Sequence, residues 1–353
     1  MEPIMKQNNI ISYVNTDCSP SHLINNLTFS NNHIMYIHNS ELQPRIITVD
    51  KKLFYETRPE EMIAQHVNIL NNKEINEMTI IKCIQLADTY YIAIGLYGGF
   101  KLYSVDGSRL LFNIPCKIKV SEKPYAFTAV TGFRMNPLNK QYDSIVCGDN
   151  YGQIFLVTGS GLNWKGKIIH TKVEGLTPTA MTSGISSNSV SIGYETGEVI
   201  VLRVASNGVS AEVIDTIPSP GNLPCLEMGV IEPTKSGSMY LINCFLNGEV
   251  RIYKNAKPAA SDKLTLVSIL GAHIRIITSL AIYKNYFMTA GEDCFVNIWK
   301  LDEDENISLQ SSHELKDRIP VGVVLNVKSD GTDVIACCYD QTYLAVIKGL
   351  TFN

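Results

Sequence analysis

One stretch of sequence decides the fold of this chain: Gly271-Ala272-His273-Ile274-Arg275-Ile276-Ile277, and shortly after it Thr289-Ala290-Gly291-Glu292-Asp293-Cys294-Phe295-Val296-Asn297-Ile298-Trp299. It places a glycine and a histidine before a first strand, then a small residue, a Gly-Glu-Asp turn and a strand that closes on tryptophan. This order is typical of one four-stranded blade of a β-propeller. The stretch therefore predicts an all-β protein, and function becomes a question about the surfaces of a ring of blades.

Four polar residues of this stretch are predicted to form one structural network. Propeller strands are short and stacked, so polar groups caught between blades must satisfy each other. We expect the Asp293 carboxylate to accept a hydrogen bond from the ring of His273. The second ring nitrogen would meet the Thr289 hydroxyl, which would in turn meet the indole N–H of Trp299. A catalytic His-Asp pair with Thr289 as nucleophile is the less favoured alternative, because these residue types recur structurally in this kind of blade.

Weaker copies of the pattern recur along the chain at intervals of 45 to 53 residues. Each copy has an apolar run, a small residue, a turn with glycine or asparagine and a second apolar run. The small residues taken as equivalent are Gly95, Gly148, Gly193, Cys244, Gly291 and Cys338. A hairpin upstream, with strands near 32–38 and 45–49, adds one unit. The sequence thus predicts seven blades of four antiparallel strands, a to d, with the glycine-bearing turns between b and c.

The two ends of the chain predict how the ring closes. After the last c strand, residues 342–348, too few residues remain for a turn and another strand. An unpaired strand edge favours unwanted association, so the missing outer strand must come from elsewhere. Residues 9–14, Asn-Ile-Ile-Ser-Tyr-Val, have the β-branched and aromatic content of a strand. We expect them to pair with residues 342–348, which makes residues 1–353 a single propeller whose best-formed repeat is 271–301.

The stretch 271–301 resembles blades of the WD-repeat β-propeller superfamily, and within it is similar to the matching blade of the WD repeat-containing protein 54 family. Tyr91-Ile92-Ala93-Ile94-Gly95 supports the second likeness. The resemblance implies a small non-catalytic cytoplasmic propeller and supplies no site residues. The other blades depart from the pattern, since they lack the full His-Thr-Asp-Trp set and Trp164 is not at the equivalent position.

Composition excludes several classes of function. The formal net charge is −4 and the basic residues are scattered, which argues against a surface that tracks nucleic-acid phosphates. Lys117, Lys119 and Lys123 form the one modest basic cluster, and a solvated loop is its favoured interpretation. No apolar run has the length of a transmembrane helix, and residues 1–9 lack the layout of a signal peptide. We expect no membrane or nucleic-acid partner.

Residues for metal or cofactor chemistry are not arranged in recognisable motifs. The nine cysteines include no Cys-x-x-Cys pair, and Cys147, Cys244, Cys337 and Cys338 fall in apolar b strands, where free cysteine behaves as a small hydrophobe. His33 and His38 are an odd number of residues apart on one strand and so point to opposite faces. The chain also lacks nucleophile-elbow, Walker and dinucleotide-binding motifs. We expect no metal, no cofactor and no enzymatic activity.

Two classes of function stay open. The first is an interaction scaffold that presents its d-to-a loops and b-to-c turns to protein partners of a larger intracellular assembly. Exposed aromatic residues and arginines contribute disproportionately to interfaces, so the candidate contacts on that face are Tyr97, Tyr125, Asn150, Tyr151, Asn222, Arg275, Arg318 and Tyr339. The second class is a propeller that binds a small ligand or catalyses a reaction in its central channel. A compact cluster of acids and histidines there would favour it.

Two further features bear on the scaffold hypothesis. The acidic run Asp302-Glu303-Asp304-Glu305 is expected in a c-to-d hairpin, as a solvated tip, with the docking of a basic partner as the alternative. The abundance of Asn, Ile and Lys is typical of an AT-rich genome such as that of a ciliated protist. A ciliary or axonemal setting is therefore a minority alternative to a general cytoplasmic one, by association only.

Overall fold

The computed structural model describes residues 11–16, 18–30, 33–39, 44–50, 65–67, 78–115, 124–133, 143–172, 175–232, 237–255, 263–328, 331–350 and 352. These residues form seven antiparallel sheets of four strands each and no helix. The predicted seven-bladed, all-β fold is confirmed.

The first four sheets follow the chain order from the centre of the ring outward. Blade 1 contains β2 (Thr28–Phe29), β3 (His33–Asn39), β4 (Pro44–Asp50) and β5 (Gln65–Val67). Blade 2 contains β6 (Met78–Leu86), β7 (Thr89–Leu96), β8 (Gly99–Ser104) and β9 (Leu110–Pro115). Blade 3 contains β10 (Phe127–Phe133), β11 (Asp143–Asp149), β12 (Gln153–Ser160) and β13 (Asn163–Thr171). Blade 4 contains β14 (Pro178–Ser183), β15 (Ser189–Tyr194), β16 (Val199–Val204) and β17 (Ala211–Ile217).

The remaining three sheets include the one that joins both ends of the chain. Blade 5 contains β18 (Cys225–Ile231), β19 (Met239–Phe245), β20 (Glu249–Asn255) and β21 (Thr265–Gly271). Blade 6 contains β22 (Ile277–Tyr283), β23 (Tyr286–Gly291), β24 (Phe295–Leu301) and β25 (Ile307–Glu314). Blade 7 contains β26 (Pro320–Lys328), β27 (Gly331–Cys338), β28 (Tyr343–Leu350) and, as its outer strand, β1 (Ile11–Asn15).

The innermost strands surround a central channel. Each contacts the innermost strand of the next blade, and β26 of blade 7 contacts β2 of blade 1. Strand β1 pairs antiparallel with β28, with Ile11 opposite Ile347 and Asn15 opposite Tyr343. Of the segment predicted for this pairing, residues 9 and 10 lie outside the described residues. Apolar side chains pack between neighbouring blades, so each interface between two sheets is a separate part of the core.

Inner strands carry a repeated bulge that explains the small residue of each repeat. At Thr79, Thr128, Thr179 and Thr278 the register with the b strand shifts by one residue, and each hydroxyl donates to a main-chain carbonyl of the next blade over 2.5 to 2.6 Å. The neighbouring inner strand then lies close to the b strand. A Cβ atom on Gly95, for example, would come within 2.8 Å of the Phe127 carbonyl oxygen.

The register corrects the proposed alignment of the repeats in two blades. In each of blades 2 to 7, one b-strand residue pairs with the inner-strand residue that directly follows the bulge. In blades 2 to 5 this b-strand residue is, in order, Gly95, Gly148, Gly193 and Cys244, as predicted. In blades 6 and 7 it is Ala290 and Cys337 rather than Gly291 and Cys338. The interface tolerates a small Ala or Cys side chain there, so glycine is not a reliable marker of the position.

In the turn between the b and c strands of blade 5, glycine is required for a different reason. Gly248 has a φ of 82°, and a Cβ atom there would lie 2.2 Å from the carbonyl oxygen of His273 in the following d-to-a loop. The same loop donates backbone hydrogen bonds from Ala272 and His273 to the Gly248 carbonyl. The b-to-c turns and the d-to-a loops therefore lie together on one face of the ring, which we call the top face.

Candidate functional site

Blade 6 contains the predicted polar network as a continuous chain of hydrogen bonds. The Nδ1 atom of His273 is 2.8 Å from Oδ1 of Asp293, and its Nε2 atom is 2.8 Å from Oγ1 of Thr289. The indole Nε1 of Trp299 donates to the same Thr289 oxygen over 3.1 Å. Because the Asp293 carboxylate can only accept, the His273 proton is assigned to Nδ1, and Nε2 accepts the hydroxyl proton of Thr289.

The same network ties three elements of blade 6 together. Asp293, in the turn between β23 and β24, also accepts backbone hydrogen bonds from Ile274 and Phe295. The d-to-a loop, the b-to-c turn and the c strand are thereby fixed to one carboxylate. Thr289 is fully buried, and the His273 side chain has no exposed area. A substrate cannot reach the Thr289 hydroxyl without breaking the network, so the geometry favours the structural role.

The structure brings only some of the eight candidate contacts to the accessible surface. Arg275, Asn222 and Tyr339 are exposed, and Tyr97 and Tyr151 are half-buried. Tyr125 and Asn150, in contrast, are buried, which corrects the expectation that both are exposed. The Asn150 amide accepts from the Ala126 backbone N–H and donates to the Pro124 carbonyl, while Tyr125 packs on Phe127 and Tyr151. Tyr125 lies in the loop before blade 3 and Asn150 in the b-to-c turn of that blade, and both have an internal role there.

Arg318 is half-buried and is engaged within the protein at the closing blade. Its guanidinium lies 4.8 Å from the ring centre of Tyr13 and 5.3 Å from that of Tyr343. It also donates a hydrogen bond of 3.1 Å to the Tyr13 hydroxyl. Tyr13 belongs to β1 and Tyr343 to β28, so Arg318 stabilises the pairing of the two chain ends by cation–π contacts instead of facing a partner with its whole side chain.

The most exposed large apolar side chain among the described residues is one that sequence reasoning missed. Ile274 is 89% exposed, in the top-face loop directly after His273. Nearby on the top face, Tyr339 is 43% exposed and stacks edge-on against His22 at a centroid distance of 5.0 Å. The Nε2 atom of His22 is also 3.7 Å from Oε1 of Glu292, which follows Gly291 in the b-to-c turn of blade 6. Six of the eight predicted contacts are aromatic residues or arginines, and selection by that character cannot find an exposed isoleucine.

We call the top-face group of His22, Ile24, Ile274, Arg275 and Tyr339 the blade 6/7 patch. Ile24 is 41% exposed and comes from the loop between β1 and β2. The patch combines exposed apolar area with an exposed arginine, which is the composition of a protein-binding surface. Its residues come from three loops or turns that hydrogen bonds hold in place: Glu292 donates its backbone N–H to Ile276, and Ile274 donates to Asp293.

A second candidate site lies in the central channel. Glu227, on the inner strand of blade 5, is 8% exposed, and its Oε1 atom is 3.9 Å from Nζ of Lys82 on the inner strand of blade 2. Asn25 reaches into the channel from the loop before β2 and donates 2.8 Å to Oε2 of Glu227. Asn25 is itself held by its backbone N–H to Thr278 and by the Ser279 hydroxyl. The loop is therefore fixed across the channel from blade 1 to blades 5 and 6.

The Lys82–Glu227 pair lies between two cavities. One, of about 360 Å³, is lined by residues from the beginnings of the inner strands and faces the top. The other, of about 440 Å³, is lined by the middle of the same strands. Among the described residues that line these cavities, Glu227 is the one carboxylate, and His22 at the mouth is the one histidine. The cluster of acids and histidines that would favour channel catalysis is not formed by them.

Glu227 gives the protein a specific pH dependence. Burial raises the pKa of its carboxyl above the ordinary value of 4.5, although Lys82, the Met228 backbone N–H and Asn25 act in the opposite direction. As the pH rises above 4.5, Glu227 ionises in the unfolded protein before it ionises in the folded protein. Its contribution to the free energy of unfolding therefore falls with rising pH until the folded-state pKa is passed. Glu227→Gln should therefore gain stability relative to the wild type as the pH is raised from below 4.5 towards neutrality. Denaturant unfolding across this range tests it, and a constant difference between the two proteins would contradict it.

Of the acidic run 302–305 and the basic cluster predicted from the sequence, only the acidic run lies among the described residues. The acidic run lies between β24 and β25, but Glu305 is not simply solvated: it forms an ion pair with Lys254 of blade 5 and accepts from the Tyr240 hydroxyl over 3.2 Å. It therefore stabilises an interface between blades. The basic cluster of Lys117, Lys119 and Lys123 lies outside the described residues.

The described part of the chain offers few other groups of reactive or metal-binding side chains. These residues contain no group of three or more His, Cys, Asp or Glu side chains that could hold a metal ion. Eight described cysteines are free, and burial raises the pKa of the Cys83 thiol to about 12. No described helix is long and apolar enough to cross a membrane.

Comparison with solved structures identifies similar folds. The chain is similar to the β-propeller domain of Cps50 (Swd1) from Myceliophteria thermophila, with a TM-score of 0.62, 12% sequence identity, and coverage of 96% of this chain and 99% of that one. No protein-family model and no curated protein sequence matches the chain. The structural likeness agrees with the seven four-stranded blades of a β-propeller. At this level of identity it informs the fold alone.

Proposed function

We propose that this protein is a non-catalytic scaffold that binds a protein partner of a multisubunit intracellular complex through the blade 6/7 patch. The exposure of Ile274 carries the proposal. An isoleucine that is 89% exposed loses the hydrophobic stabilisation that burial would give, yet it lies on a loop whose conformation is fixed by Asp293. A rigid apolar anchor next to an exposed arginine costs little conformational entropy on binding.

The partner is expected to cover an area that includes both apolar and polar groups. Tyr339 and Ile24 extend the apolar surface, while Arg275 can pair with a carboxylate of the partner. The setting within the cell is a separate proposal: a cytoplasmic location follows the sequence resemblance, and a ciliary or axonemal one rests on composition alone. Kinship with the WD repeat-containing protein 54 family likewise rests on the sequence resemblance of 271–301.

Substituting the patch should abolish partner capture without unfolding the protein. The double variant Ile274→Asp, Tyr339→Ala places a charge at the anchor and removes the exposed ring, and we expect at least a tenfold loss of bound partner. The measurement is affinity purification with quantitative mass spectrometry, alongside circular dichroism of the purified variant. The matched control is Leu162→Asp, since Leu162 is 66% exposed in the hairpin between β12 and β13, away from the top face. Equal losses in both variants, or in neither, would contradict the proposed site.

A further inference from the structure

The charged pair in the channel is incomplete as a salt bridge. The separation of 3.9 Å between Lys82 Nζ and Glu227 Oε1 exceeds hydrogen-bond distance, and the ammonium has no hydrogen-bond acceptor among the described residues. Glu227 is rigid, because Asn25 holds its other oxygen and is itself held by blade 6. The Lys82 side chain is 32% exposed, on the wall of the 360 Å³ cavity. A buried carboxylate and an accessible ammonium thus lie side by side without direct contact.

This spacing has a chemical consequence. A ligand that bridges the pair must offer an acceptor to Lys82 and a donor to Glu227. In a free α-amino acid the ammonium nitrogen and the nearer carboxylate oxygen are about 2.7–3 Å apart, as the N–Cα and Cα–C bond lengths dictate. The ligand carboxylate can then lie about 2.8 Å from the Lys82 ammonium while the ligand ammonium lies about 2.8 Å from the Glu227 carboxylate. These four charged groups form a quadrilateral whose fourth edge is the 3.9 Å separation of Lys82 and Glu227. Each charge of the ligand then meets its opposite.

The remainder of the cavity favours an apolar side chain. Beyond the charged pair its wall includes Ile24, Ile80, Met181 and Leu226. The hydroxyl groups of Thr79, Thr128 and Thr179 in the same wall already donate to the main chain of neighbouring blades. A volume of about 360 Å³ lies at the lower end of the range for small-molecule sites, about 300–1,000 Å³.

We propose that the upper part of the channel is a binding site for a free apolar α-amino acid, with its carboxylate on Lys82, its ammonium on Glu227 and its side chain against the apolar wall. An anion alone would lie next to the Glu227 carboxylate, and a cation alone next to the Lys82 ammonium. The zwitterion avoids both repulsions. The site shares His22 and Ile24 at its rim with the blade 6/7 patch, but it uses neither Ile274 nor Tyr339, so the double variant that tests the scaffold function leaves the charged pair unchanged.

Isothermal titration calorimetry of the purified protein at neutral pH tests the site with leucine, methionine and phenylalanine as probes. We expect saturable binding, and a rise of the melting temperature of about 2 °C or more at saturation. Isovalerate keeps only the carboxylate and isoamylamine only the ammonium, and each should bind at least about tenfold more weakly than leucine. Glycine, which lacks the side chain, should also bind more weakly.

Substitutions of Lys82 and Glu227 test whether these two residues hold the ligand. Lys82→Gln and Glu227→Gln should each weaken leucine binding about tenfold or more, while Lys165→Gln, at an exposed lysine of the outer strand β13, should bind as the wild type does. Absence of saturable binding by the folded wild type at millimolar concentrations would overturn the proposal. So would equal affinity for leucine and either single-charge analogue. These two results come from the wild type, so the proposal is testable even if a variant fails to fold.

Discussion

Thr289→Val is expected to lower the free energy of unfolding by about 2–4 kcal/mol, because it removes the shared oxygen of the blade 6 network. Valine has nearly the shape of threonine, so packing is kept while two hydrogen bonds are lost. His273 Nε2 and Trp299 Nε1 would be left without this partner, and an unsatisfied buried polar group costs about 1–3 kcal/mol. The measurement is denaturant unfolding, with the change read from the midpoint at constant m-value.

Two control variants separate the network from other effects. Thr289→Ser keeps the hydroxyl and should retain most of the stability. Thr265→Val makes the same chemical change at an exposed position of the outer strand β21, and should alter stability by no more than about 0.5 kcal/mol. If Thr289→Val costs no more than Thr265→Val, then the four side chains are neighbours without energetic coupling.

The fold could be predicted from sequence because its requirements are local. Each blade needs a small residue where the neighbouring inner strand approaches, and a turn that tolerates positive φ close to the following loop, as at Gly248. Both leave marks in the sequence at a regular spacing. The one-residue error at Gly291 and Cys338 has a local cause as well, since Ala290 and Cys337 satisfy the same packing without glycine.

The sites were less predictable because they depend on depth and on contacts between distant residues. Tyr125 and Asn150 belong to a loop and a turn of the top face, yet they are buried, and the sequence does not record how deeply a loop is packed. The channel pair joins residues of blades 2 and 5 and a loop residue before blade 1. One signal was present: Lys82 and Glu227 are the charged residues of inner strands that are otherwise largely apolar.

Ring closure connects these observations to stability. A propeller without its closing strand has an open edge at β28 and loses the support that Tyr13 gives to Arg318. Val14 is 6% exposed and belongs to a core cluster that includes Leu344 of β28 and Leu27, which directly precedes β2 of blade 1. This single side chain of β1 thus contributes to the packing of the blade that joins both ends of the chain.

Val14→Asp should therefore lower the free energy of unfolding by at least about 3 kcal/mol, since it buries a charge without a partner among apolar side chains. The control is Asn15→Asp, which adds the same charge one residue further along, on the exposed side of β1, and should cost about 1 kcal/mol or less. In Val14→Asp, hydrogen exchange should show reduced amide protection first in β26 to β28, because release of β1 leaves the edge of β28 unpaired. Equal costs for the two variants, with exchange unchanged in blade 7, would mean that β1 does not hold the ring closed.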